Sequence, residues 1–126
     1  MPVDTPRQSL GRRGEELAAD FLRRQGYRIL ETNARSRLGE IDIVADAPGN
    51  GEKPLVFIEV KTRRSATFGS PLEAVASRKQ HRLIRLAEAY LQQNPRLSKR
   101  VCRFDVIGIV IDRGDQPKIE HIPAAF

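Results

Sequence analysis

The segment Phe57-Ile58-Glu59-Val60-Lys61 sets a carboxylate and an amine two residues apart, and Gly39-Glu40-Ile41-Asp42-Ile43-Val44 carries another carboxylate inside a second apolar run, seventeen positions upstream. Side chains of an extended chain alternate between two faces, so Glu59 and Lys61 share a side with Phe57 while Val56, Ile58 and Val60 point the other way. By the same period Asp42 shares its face with Glu40 and Val44. Charges on such strands are costly to bury unless they are paired or bind a metal. If the two strands are neighbours in suitable register, Asp42 and Glu59 converge on the space that one divalent ion spans. Two carboxylates, a strand carbonyl such as that of Val60, and waters make the hard, oxygen-rich site that Mg²⁺ prefers. An ion held there polarises a phosphodiester and activates a bound water, and Lys61 can orient that water or offset charge on the phosphate. Spacing leaves a plainer alternative open, in which Glu59 and Lys61 are a same-face pair on a solvated edge strand and Asp42 ends its strand.

The elements that must position these residues are legible in turn. Thr5-Pro6-Arg7-Gln8 has the form of a capping box with proline at the first helical position. Leu10, Gly14, Leu17, Ala18, Phe21 and Leu22 then recur at helical spacing to about Gln25, and Gly26 is a natural stop. Strands are expected at Tyr27 to Asn33, Gly39 to Asp46 and Leu55 to Thr62, with the turn-rich stretch from Ala47 to Pro54 reversing the chain into an antiparallel pair. A loop follows from Arg63 to Pro71. Ser77 can cap a second helix whose face is Gln80, Leu83, Ile84, Ala87, Tyr90 and Leu91, ended by Asn94-Pro95. Val101 to Asp112 reads as a strand buried on both faces, and Lys118 to Ile122 as a short last strand. The order predicts an α/β fold, with helices packed on a mixed sheet.

At 126 residues the chain has the length of one domain, 1–126, and buries roughly two thirds of its unfolded surface. Hydrophobic residues at 40% and charged residues at 30% exclude a disordered chain and a membrane protein. The balance of 22 Lys+Arg over 16 Asp+Glu gives +6, and 17 of those cations are arginine, whose planar fork suits phosphate oxygens. Nucleic acid is the expected partner. One cysteine, Cys102, and two histidines, His81 and His121, supply neither an internal disulfide nor a four-ligand zinc site. No secretory leader or membrane span is legible, which predicts a cytoplasmic protein.

Taken together, Gly11-Arg12-Arg13-Gly14-Glu15, Gly26-Tyr27, Asn33, Gly39-Glu40-Ile41-Asp42-Ile43, Phe57-Ile58-Glu59-Val60-Lys61-Thr62-Arg63, Phe68-Gly69, Lys79 and Arg103-Phe104-Asp105 resemble the YraN family, also called UPF0102. More broadly, Asp42 followed by Glu59-Val60-Lys61 resembles the PD-(D/E)xK nuclease superfamily. The resemblance implies a restriction-endonuclease-like αβββαβ core, similar to that of archaeal Holliday-junction resolvases. It implies Mg²⁺ or Mn²⁺ as cofactor, Asp42 and Glu59 as metal ligands and Lys61 as the catalytic lysine. The superfamily's leading proline is replaced here by Ile41. Resolvase-like members also use a glutamate on the first helix. Of the adjacent Glu15 and Glu16, Glu15 borders the apolar stripe and is the candidate, as a third ligand and catalytic group, while Glu16 falls on the polar side with Asp20 and Arg23. Likeness to resolvases further implies a homodimer.

Around these acids, Arg12, Arg13, Arg35, Arg37, Arg63, Arg64 and Lys79 are candidate nucleic-acid contacts. Arg78, Arg82 and Arg85 form a stripe on the second helix that faces either a backbone or water. Asp105 is expected to pair with an arginine, and both histidines to take surface or helix-edge places. The leading expectation is a metal-dependent endonuclease acting on DNA, on branched or single-stranded substrates. Its rivals are a nucleic-acid-binding module in which turnover is lost and an RNA-associated structural protein.

Overall fold

The computed structural model describes residues 5–64, 77–112, 114 and 116–126. Helix α1, Pro6–Arg24, opens with the capping box predicted: the Gln8 backbone N–H donates to Thr5 Oγ1 at 3.1 Å and the Thr5 N–H donates to Gln8 Oε1 at 2.9 Å. It closes at Gly26, whose φ of +93° lets the chain reverse into strand β1. Strands β1 (Arg28–Ser36), β2 (Gly39–Asp46) and β3 (Leu55–Arg63) form an antiparallel meander. Helix α2 (Ser77–Gln93) then carries the chain to β4 (Cys102–Val110), which lies parallel to β3, and β5 (Lys118–Ile122) closes the far edge antiparallel to β4. The sheet order is β1-β2-β3-β4-β5. An α/β fold with a mixed sheet flanked by helices, in the αβββαβ order of the expected core, is therefore present. Among the described residues no helix is long and apolar enough to cross a membrane.

One helix covers each face. Ala18, Ala19 and Leu22 of α1 pack on Val56, Ile58, Val60, Ile107 and Ile109. Leu83, Leu86, Ala87 and Tyr90 of α2 pack on Val44, Leu55, Phe57 and Val106. Alternation along β3 is thus as predicted, and it sends Glu59 and Lys61 out on the α2 side. The α1 contact is close because Gly14 lies on Thr62: a Cβ there would overlap Thr62 Oγ1 and come within 2.8 Å of Thr62 Cβ. Gly14→Ala is accordingly expected to lower stability by about 1–3 kcal/mol, since backbone must shift to admit one methyl, and urea titration of the two proteins measures it.

Three details differ from the sequence reading. Strand β1 extends past Asn33 to Ser36, because its pairing with β2 continues to Ser36↔Gly39 through an Asn33 held at φ +53°. Ile84 is 36% exposed, while Leu86, at 3%, joins the buried face of α2. In β2, strict alternation would put Ile41 and Ile43 together, yet Ile43 packs on the α1 side and Ile41 on the α2 side. The strand therefore changes face at Asp42. Phe68 and Gly69, part of the pattern of resemblance, and most of the expected loop from Arg63 to Pro71 lie outside the described residues.

Candidate active site

The change of face in β2 builds the site. Pairing between β2 and β3 runs from Asp46↔Leu55 to Ile43↔Ile58 and stops there, so the strands part at Asp42. Parting strands leave backbone donors without ladder partners, and a buried unpaired N–H is costly. Asp42 fills that gap: its Oδ2 accepts from the Val60 backbone N–H at 2.8 Å. The carboxylate is thereby fixed between Glu59 and Lys61 of the neighbouring strand. Lys61 Nζ lies 3.5 Å from Glu59 Oε1, and both side chains remain partly open, at 25% and 18% exposure.

Glu15 joins from α1. Asn33, its amide nitrogen turned towards the two acids, donates to Glu15 Oε2 at 2.9 Å and to Glu40 Oε1 at 2.6 Å. Its left-handed backbone, which asparagine tolerates better than most residues, aims the amide there. Burial and then the charge of Glu40 push the Glu15 carboxyl up, against hydrogen bonds from Asn33 and Asp42 that lower it. Asp42 is pushed up to about 8, first by burial and then by the charge of Glu59, with Glu15 adding to both and the Val60 N–H and Lys61 opposing. On the α2 side Lys79 approaches Lys61, and the hydrogen bond and positive charge that they share, together with burial, lower its pKa.

Glu40, Asp42, Glu59, Lys79 and Arg82 line one cleft of about 250 Å³ between the sheet and the start of α2. A second, of about 490 Å³, runs past Arg12, Glu15, Asn33, Arg35 and Glu40, so Glu40 lies on the boundary of the two. A third, of about 540 Å³, continues from Arg12, Glu15 and Asn33 along α1. Acids thus sit at the junction of clefts whose walls carry arginines.

The sequence profile described as "Uncharacterised protein family UPF0102" matches residues 14–109. The chain belongs to UPF0102. UPF0102 proteins similar to it include one from Trichlorobacter lovleyi, 50% identical over 119 residues, covering 94% of this chain and 91% of the relative. One from Syntrophotalea carbinolica is 49% identical over 120 residues, covering 95% and 93%. One from Rhodococcus opacus is 48% identical over 118 residues, covering 94% and 96%.

In this UPF0102 chain the four acid and amine candidates, Glu15, Asp42, Glu59 and Lys61, form one electrostatically coupled group. Of the basic candidates, Arg12, Arg35 and Lys79 line the clefts, with Arg35 Nε 3.5 Å from Glu40 Oε2. Arg63 ends β3, half-buried, and Arg13, Arg37 and Arg64 are exposed and stand outside these three clefts. Three contributors escaped the sequence reading: Asn33 received no role, Glu40 was seen only as a face-mate of Asp42, and Arg82 only as part of a stripe. No sequence signal marked the first, because Asn33 stands at the end of the expected strand, where a polar residue is ordinary.

Among the described residues, no group of three or more His, Cys, Asp and Glu side chains could by itself hold a metal ion. The donor set suits a sparsely held hard cation, because Mg²⁺ keeps several waters and is bound through one or two carboxylates plus substrate phosphate. Asp42 and Glu59 are the residues that would fit such an ion, with Asp42 a carboxyl whose burial and nearness to the charge of Glu59 disfavour its ionisation until a cation arrives.

That repulsion makes a stability prediction. Between the ordinary value near 4 and the raised value near 8, folded Asp42 keeps a proton that the unfolded chain releases, so its contribution to stability falls as pH rises through that window. Asp42→Asn retains an oxygen for the Val60 N–H and never ionises. In EDTA it should match the parent near pH 4 and exceed it by about 2 kcal/mol at pH 8, read from urea titrations at both values.

Proposed function

We propose that this UPF0102 protein is a metal-dependent endonuclease of the PD-(D/E)xK type that hydrolyses phosphodiester bonds in DNA, with Mg²⁺ or Mn²⁺ as cofactor. The observation that carries the reading is the 2.8 Å bond from the Val60 N–H to Asp42 Oδ2, which locks the acid of β2 beside Glu59 and Lys61 where the strands part. A solvated edge pair would have no use for that arrangement. When bound, the cation would supply Lewis-acid polarisation of the phosphate and a more acidic water. Asp42 and Glu59 would hold it. Lys61, kept near the acids by Glu59, presents its ammonium to the attacking water or to a phosphate oxygen. Glu15, held by Asn33, adds a carboxyl on the α1 side. Arg12 and Arg35 on the neighbouring walls are placed to grip flanking phosphates.

A specific observation favours a second reading, a binding module with the same fold. The described residues offer no self-sufficient metal cage, and the site is already crowded with ion pairs. Incubation with linear duplex, single-stranded and branched DNA, in Mg²⁺, Mn²⁺ or EDTA, separates the two. Cleavage in Mg²⁺ or Mn²⁺ that stops in EDTA supports the nuclease. Salt-sensitive binding with no cleavage of any substrate supports the module.

A further inference from the structure

The β1–β2 turn ends in an exposed apolar residue. Leu38 is 52% exposed, in a tight turn where its backbone N–H donates to Ser36 Oγ at 3.2 Å, and Arg37 precedes it. It rims a concave cleft of about 400 Å³ whose other walls, among the described residues, are Arg78, His81, Arg82 and Arg85 of α2. The turn and the helix meet at Gly39: with φ at +141° and no side chain, it lets the Arg82 guanidinium lie against the backbone, 2.8 Å from where a Cβ would stand.

Arg82 also lines the cleft that holds Asp42 and Glu59. The arginine cleft and the acid cleft therefore adjoin, with that guanidinium on the wall between them. Arg78, Arg82 and Arg85 recur at four- and three-residue spacing, so they share one helical face over about 10 Å, a rise along which one strand of duplex passes about three phosphates. A purely solvated stripe explains the arginines alone. It explains neither the concave shape nor the apolar residue at its rim.

We propose that this cleft is a second seat for DNA, gripping phosphates beyond the acid site through Arg78, Arg82 and Arg85 while Leu38 packs against sugars and bases at the groove edge. It deepens the reading of the acid site as DNA-directed and rests on it for the identity of the ligand. Arginine forks match phosphate oxygens bidentately. Apolar side chains set beside them serve as contacts or wedges at base steps. The cleft thus gives the protein a hold on DNA that does not depend on a metal ion.

Fluorescence anisotropy in EDTA, with labelled DNA duplex, DNA four-way junction and RNA duplex, tests it on the full chain. Arg78→Gln, Arg82→Gln and Arg85→Gln together are compared with Arg96→Gln, Lys99→Gln and Lys118→Gln, which remove the same charge elsewhere. Across about 50 to 200 mM salt, the stripe variant should bind DNA at least roughly tenfold more weakly, with a salt slope shallower by about 2–3, and the matched control should lose far less. Leu38→Ser should weaken DNA binding by about threefold or more with the slope unchanged, because it removes no charge. All four residues are exposed, so circular dichroism should show folded variants throughout. Equal losses in the two triple variants, parent-like binding by the stripe variant, or binding to RNA alone would each overturn the proposal. Metal-dependent cutting with stripe-independent binding removes this cleft and leaves the nuclease reading. Stripe-dependent binding without cutting does the reverse.

Discussion

Asp105→Ala is expected to cost about 3–5 kcal/mol, enough to unfold much of the population of a domain this size, and a shift in urea midpoint measures it. Asp105 has no exposed surface, and it sits on β4 among Val106, Ile107 and Ile109. It is tolerated because donors enclose it. Arg103 binds both oxygens, Nε to Oδ1 at 2.9 Å and a terminal nitrogen to Oδ2 at 2.8 Å. His121 Nε2 lies 2.7 Å from Oδ2, and the Ala124 N–H donates to Oδ1 at 3.0 Å. Arg103 in turn donates to the Tyr27 hydroxyl at 2.6 Å, so the carboxylate ties β4 to β5 and to the chain leaving α1. Removing it strands a half-buried guanidinium and several aimed donors. Burial alone would push the Asp105 carboxyl up, but the bonds from His121, Arg103 and Ala124 outweigh it and hold it below the ordinary value. Its stabilising contribution is therefore present above about pH 4 and lost as pH falls through the lowered folded value. The gap between parent and Asp105→Asn should be wide at pH 7 and should narrow as pH falls below the ordinary carboxylate value.

If the proposed nuclease function holds, Lys61→Ala should lower the rate of Mg²⁺-dependent cleavage by about 10²–10⁴-fold while leaving the midpoint of unfolding nearly unchanged. Its side chain is a quarter exposed and pairs with Glu59 at 3.5 Å, an arrangement worth little to the fold. Asp42→Asn should lose activity to a similar degree and yet be more stable at pH 8, the opposite sign to Asp105→Asn. Stability and turnover moving apart in this way marks a carboxylate retained for chemistry. Single-turnover cleavage assays beside urea titrations of the same preparations read both quantities. An Asp42→Asn protein that cuts as fast as its parent would defeat the assignment.

The element order, the capping box, the antiparallel reversal and the two-sided burial of β4 were all legible, because each rests on local chemistry: turn residues, periodicity and caps. So was the meeting of Asp42, Glu59, Lys61 and Glu15 in one region. The face change at Asp42 was not, since period-two reasoning assumes an unbroken ladder and β2 leaves its ladder there to meet Val60. Asn33 was missed for the same reason: its value lies in an off-pattern backbone angle. His121 was expected at the surface or at a helix edge. Its ring is instead boxed edge-on by Phe21 and Tyr27 and bonded to Asp105, sixteen residues away, a contact fixed only by the β4–β5 register. Ile84 shows the converse, an apolar residue at helical spacing for which the narrow face of α2 has no room.

The parallel join of β3 to β4 bears on how the molecule comes into being. A meander can zip from its turns as it leaves the ribosome, but a parallel neighbour arrives only after the crossover helix has been laid down. Glu15, Asp42, Glu59 and Lys61 are all synthesised before β4, and the last two lie on β3, whose inner edge is then still bare and can seize another chain. The half that carries the candidate site is thus the vulnerable half during birth, and β4 acts as its chaperone in cis.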